Sequence, residues 1–171
     1  MGRKKELPLR VAAILVWIPP NGSVPLIATH VPAKADPISD YSITTLTGHC
    51  ESRFEYTAAI SAAIQKQLTA YPENVTRLRY RAVSKDKDYQ WYLAVCRSEQ
   101  RFEPDPREVL QICWNLPGTL AVTVSNMSEG RRLMFLAALN EAMQCQPELL
   151  APYGKTVELL CQEYFPKAKA A

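Results

Sequence analysis

The sequence predicts one α/β domain, and three observations carry that reading. Leu9 to Ile18 is almost continuously apolar and rich in Val, Ile and Trp, as a buried strand is. From Tyr56 to Ala70 the apolar residues recur at helical spacing, among alanines. Val75 to Val83 alternates with a period of two, a spacing that a strand sorts onto two faces.

The remaining elements follow in chain order. Pro19-Pro20-Asn21-Gly22 ends the first apolar run, and a second run from Val24 to Ala28 reads as the next strand. Val31 to Asp40, with Pro32, Asp36, Pro37 and Asp40, reads as a loop before a short strand at Ser42 to Leu46. In the first helix Tyr56, Ile60, Ala63, Ile64 and Leu68 share a face, and Pro72 stops it. The alternating strand places Arg77, Arg79 and Arg81 on one side and Leu78, Tyr80 and Ala82 on the other. A turn at Lys85-Asp86-Lys87-Asp88 returns it along Tyr89 to Cys96. Ser98 to Arg107 is a polar loop, followed by a strand at Glu108 to Asn115 and a turn at Pro117-Gly118. Ser128 and Glu129 open a second long helix, Arg131 to Cys145, and Pro147 closes it. A last helix is expected at Thr156 to Phe165.

A length of 171 residues suits a single core. The expected division is a basic tail at 1–8, a main domain at 9–145, and a C-terminal helix and tail at 146–171. Hydrophobic residues at 47% and charged ones at 22% exclude a disordered or fibrous chain. A net charge of +3 is too small to indicate nucleic acid or a membrane surface without local patterning. The five cysteines, Cys50, Cys96, Cys113, Cys145 and Cys161, form no C-x-x-C pair and read as reduced core residues. With no signal peptide and no run of about 18 apolar residues, the expectation is a reduced intracellular compartment, the cytoplasm, with no membrane association.

The order strand, strand, loop, short strand, Gly48, helix, antiparallel hairpin, strand with a Trp, and closing helix resembles the Nudix hydrolase superfamily over residues 9–145. Trp114-Asn115-Leu116-Pro117 ahead of the second long helix is similar to that family's tail. The resemblance implies an α/β/α sandwich around a mixed sheet. It also implies a loop and helix of pattern G-x5-E-x7-R-E-U-x-E-E-x-G-U, where U is a bulky aliphatic residue. With Gly48 as the first glycine, Phe54 stands at the first glutamate and Ala62 and Ala63 at the Arg-Glu pair. Ile64 fills the aliphatic position, Lys66 and Gln67 the Glu-Glu pair, and Thr69 and Ala70 the last two sites. The box is degenerate: its scaffold remains and its acids do not.

Positions 63, 66 and 67 lie at i, i+3 and i+4 and share a helical face, expected here to open onto the cleft. In the family their carboxylates hold hard divalent ions against a pyrophosphate. Alanine offers no oxygen and glutamine only a neutral one. The Lys66 ammonium opposes an ion by several kcal/mol at about 4 Å and an effective dielectric near 20. Cys113, where the family places a further Glu beside the Trp, is no substitute. No metal and no cofactor is expected.

Glu51 and Glu55 flank the position of Phe54 and offer a displaced carboxylate pair. His30 and His49, the two histidines, have no partner at ligand spacing. The row Arg77, Arg79 and Arg81 repeats at roughly 6.6 to 7 Å, near the spacing of successive phosphates, and Trp91 beside it offers a stacking surface. The same row also suits arginines that pair with acids across strands. The expectation is therefore a catalytically degenerate Nudix-like domain serving as a nucleotide- or RNA-associated subunit with protein partners. The alternative is a hydrolase of nucleoside diphosphate derivatives that uses the displaced carboxylates.

Overall fold

The structure, a computed structural model, describes residues 9–22, 24–32, 46–52, 55–68, 74–77, 90–101, 103–107 and 109–165. Strand β1 (Leu9–Trp17) is its axis, and residues 11–16 are all buried. A strand buried on both faces needs apolar side chains at odd and even positions alike, which explains the unbroken run. Val11, Ala13 and Leu15 join one hydrophobic cluster, while Ala12, Ile14 and Val16 join another on the opposite face.

Around β1 lie β2 (Leu26–Pro32), β3 (Leu46–Cys50), β4 (Asn74–Arg77), β5 (Gln90–Ser98) and β6 (Val109–Asn115). Among the described residues these form one mixed six-stranded sheet, ordered β4-β5-β1-β2-β6 with β3 also on β1. The β1–β5 ladder is parallel from Leu9↔Gln90 to Trp17↔Ser98, and the other pairs are antiparallel. On one face lies α1 (Tyr56–Gln67), whose Tyr56, Ile60, Ala63 and Ile64 meet Val11, Ala13, Leu15, Ala28 and Cys96. On the other lie α2 (Pro117–Ser125), α3 (Glu129–Cys145) and α4 (Gly154–Tyr164). The expected α/β/α sandwich on a mixed sheet is the architecture found. Leu150, Tyr153, Val157 and Leu160 enter the same cluster as β1, so the C-terminal helix is part of this core.

Several boundaries differ from the sequence expectation, each for a local reason. Strand β2 runs on through His30 to Pro32 because β6 supplies its partners from Asn115 to Val109. Strand β3 lies at Leu46–Cys50, with Gly48 opposite Val11 inside the ladder rather than in a loop. Helix α1 ends at Gln67, well before Pro72, because Leu68 turns extended and bridges Pro104. The turn expected at Pro117-Gly118 is instead the start of α2. Pro117 occupies the first helical turn, where no N–H is needed. The Thr119 hydroxyl accepts the Leu116 N–H at 2.9 Å. The β-branched residues Val122, Thr123 and Val124 disguise this helix as strand-like sequence. Cys145 is exposed and Cys113 and Cys161 are half-buried, so only Cys50 and Cys96 are the core thiols expected. The expected turn at 85–88 and the tails at 1–8 and 166–171 lie outside the described residues.

Candidate functional site

Strand β1 changes partner along its length. Val16 and Trp17 pair with Ile27 and Leu26 of β2, whereas Leu9 to Ala13 pair with β3. From Ala28 onward β2 therefore leaves β1 and travels with β6. The α1 side of this divergence is lined by Ala28, His30, Ile112 and Trp114, which share a face by strand alternation.

Its rim is the segment between β5 and β6. Trp17 Nε1 donates to the Glu99 carbonyl at 3.1 Å, and the Gln100 N–H donates to Ser98 Oγ at 3.0 Å. Further on, the Asp105 N–H donates to the Gln67 carbonyl at 2.9 Å. The Arg107 guanidinium donates to both Asp105 carboxylate oxygens, at 3.2 and 2.9 Å. Hydrogen bonds from Arg107 hold the Asp105 carboxyl below the usual range. The rim thus ties the end of β1 to the end of α1.

Helix α1 buries the apolar face that its spacing suggested, Ala63 included, and does not turn Ala63 toward the cleft. Ala63 is 6% exposed, within the apolar cluster, while Ala62 and Lys66 are exposed and Gln67 is half-buried. The expectation that positions 63, 66 and 67 open together onto the cleft is corrected accordingly. With Ile60 and Ile64 directed at the sheet, the residue between them along the i, i+3 ridge is carried inward too. A methyl in a hydrocarbon pocket, an ammonium and an amide do not fit a hard divalent ion. Among the described residues no three His, Cys, Asp or Glu side chains converge. Phe54, Thr69 and Ala70 lie outside the described residues. Glu51 and Glu55 are both exposed just ahead of α1, where the Glu55 N–H closes a turn on the Ser52 carbonyl at 3.0 Å.

Of the basic row, Arg77 stands in β4 opposite Ala94, and Arg79 and Arg81 fall outside the described residues. Trp91 stands in β5 opposite Arg10. His30 is 4% exposed, and burial, helped by the charge of Arg131, lowers its pKa to about 4, so its imidazole is neutral. Burial pushes the Cys96 thiol up to about 12, which removes it as a nucleophile at neutral pH, and burial also raises Cys50.

Trp17 had not been singled out from sequence, and Trp114 had been noted only as part of the family-like tail, not as a partner of Trp17. Trp17 and Trp114, each partly exposed, meet edge to face with centroids 5.6 Å apart and planes at 61°. Ala28 pairs with Trp114 on β2, and its single methyl leaves room for the two indoles to meet across the strand between them. The Arg101 guanidinium lies 5.8 Å from the Trp17 ring. The signal was a Trp at the end of a buried strand, one residue before Pro19-Pro20, where the chain leaves the sheet.

A separate open groove of about 370 Å³ lies between α3 and α4, lined by Met143, Val157, Glu158, Cys161 and Phe165 among others, on the opposite side of the sheet. No helix among the described residues is long and apolar enough to cross a membrane.

No protein-family model matches the chain, and no curated protein matches its sequence. Solved structures do match its fold. A Nudix hydrolase from M. smegmatis, RenU, superposes with a TM-score of 0.58 at 15% identity, covering 81% of this chain and 86% of that one. A MutT/Nudix family protein from Enterococcus faecalis gives 0.58 at 14%, covering 90% and 70%. The NUDIX domain of Shewanella oneidensis NrtR, solved with ADP ribose, gives 0.50 at 12%, covering 64% and 73%. The chain has the Nudix fold, as its element order and Trp114 tail implied.

Proposed function

We propose that this chain is a nucleotide-binding domain on a Nudix scaffold that has given up metal-dependent hydrolysis and serves as a binding or assembly subunit of a larger complex. The observation that carries the reading is Ala63, seated in the apolar cluster at 6% exposure, with Lys66 one turn on. The scaffold's neighbours include a domain solved with ADP ribose, which supports a nucleotide in the cleft. The domain's own contribution is to bind and orient: the half-exposed Trp17 and Trp114 supply a surface where β2 leaves β1, and Arg101, Glu103 and Arg107 beside it supply charge. RNA contact through Arg77, Arg79, Arg81 and Trp91 and docking of a protein partner belong to the same proposal.

A second reading rests on different observations. Solved neighbours of this fold are named as hydrolases, and Glu51 and Glu55 are exposed at the entrance to α1. On that reading they replace the helical acids and the chain cleaves a nucleoside diphosphate derivative.

One experiment separates the two. Purified protein is incubated with ADP-ribose and diadenosine tetraphosphate in millimolar magnesium or manganese, and product is followed by chromatography. The expected result is binding without turnover above background. Metal-dependent turnover that is lost in Glu51→Gln or Glu55→Gln establishes the hydrolase instead.

A further inference from the structure

We propose that Trp17, Trp114 and Arg101 form the seat for a nucleotide, with its base against the indoles and its phosphates on the guanidinium. This deepens the nucleotide-binding reading and rests on it. The two indoles occupy the α1 face where β1 and β5, a parallel pair, both end. Both rings keep part of their surface in water, whereas Ala28 on the strand between them is 2% exposed and lies beneath them. The Trp17 N–H is spent on the Glu99 carbonyl, which fixes the ring and leaves its π surface as the available feature.

Arg101 decides the class of ligand. It sits 5.8 Å from the Trp17 centroid, wider than close stacking, and its contact with Glu103 is long at 3.8 Å and exposed at both ends. A pair worth so little restrains the guanidinium weakly, so it can turn to an anion. A cation beside the indoles opposes the quaternary ammonium ligands that aromatic cages take. An aromatic peptide side chain would leave the guanidinium without a counterpart. A planar ring carrying an anionic chain satisfies both groups. Because every base has a π face, the seat selects for the phosphates rather than for base identity.

The test uses ADP as the probe, adenosine as its uncharged counterpart and a short single-stranded oligonucleotide, all with chelator present. Indole N–H resonances are followed by NMR, and affinities by calorimetry. The expected result is that ADP shifts the Trp17 and Trp114 resonances. Trp17→Leu should weaken ADP by roughly 5- to 150-fold, the range that one stacked base contributes. Arg101→Gln should weaken ADP while leaving adenosine unchanged. If the oligonucleotide shifts the same two resonances more tightly than ADP, the seat is supported and its nucleotide belongs to a nucleic acid strand. ADP binding with full affinity in both variants overturns the seat and leaves the nucleotide-binding reading standing. Absence of ADP binding at millimolar concentration overturns both. Should Trp17→Leu fail to fold, the wild-type indole resonances decide alone: if saturating ADP leaves them unmoved, the seat is wrong.

Discussion

Tyr153 donates its phenolic hydrogen to the main-chain carbonyl of Asn115 at 2.6 Å, and the Pro25 carbonyl shares it. Asn115 in turn directs its amide to the Ile27 carbonyl and to Thr29 Oγ1, both at 3.0 Å, and accepts from the Thr123 hydroxyl at 2.8 Å. One buried network therefore joins the start of β2, the end of β6, α2 and the approach to α4. Tyr153→Phe keeps the ring and removes the donor, leaving carbonyls short of a partner, and should cost about 1–3 kcal/mol. Urea unfolding monitored by circular dichroism measures it; a change under a few tenths would show that water replaces the hydroxyl.

Arg132 closes the C-terminal end of α2. Its guanidinium donates to the carbonyls of Val124, Ser125 and Met127 at 3.0, 2.9 and 2.7 Å and lies 4.4 Å over the Tyr164 ring. Bonds from a charged donor to orphan helix carbonyls exceed ordinary ones. Arg132→Ala should destabilise by about 2–3 kcal/mol. Arg132→Lys should recover only a small part of that, since an ammonium cannot reproduce the planar fork. Equal midpoints for Arg132→Lys and the wild type would refute the geometric argument.

His30 gives the protein an acid-sensitive stability. Burial, then the charge of Arg131, lowers its folded pKa to about 4, whereas in the unfolded chain it titrates near 6.5. Between these values the unfolded state takes up a proton that the folded state refuses. Stability is therefore complete above pH 6.5 and falls as pH drops toward 4, by about 3 kcal/mol from this residue. Unfolding free energies at half-unit pH steps should show that slope, and His30→Leu should flatten it.

Rebuilding an acidic α1 separates its exposed positions from its buried one. Lys66→Glu with Gln67→Glu should fold with little change, because these side chains reach water. Adding Ala63→Glu places a carboxylate in the apolar cluster and should cost several kcal/mol at neutral pH. That penalty should shrink toward pH 4–5 as the carboxyl protonates. A triple variant as stable as the double one would show that position 63 can turn out to solvent.

The strand and helix periods in the sequence determined the class of fold. The unbroken run at β1 required cover on both faces, and the spacing of Tyr56, Ile60 and Ile64 required an amphipathic α1, because such local periods permit one kind of burial. The residue types at 63, 66 and 67 likewise stated, without any structure, that the helix lacks the ligands of a divalent ion. Tertiary structure decided what depends on the ends of elements and on residues far apart in the chain. Pro117-Gly118 read as a turn, and only a cap from Thr119 and packing on α4 make the segment α2. For Ala63 the sequence offered two faces, the apolar one with Ile60 and Ile64 and the one shared with Lys66 and Gln67, and packing in the cluster chose the first. Trp17 and Trp114 are 97 positions apart, and they became neighbours only because β2 runs between their strands with an alanine at the point where they meet.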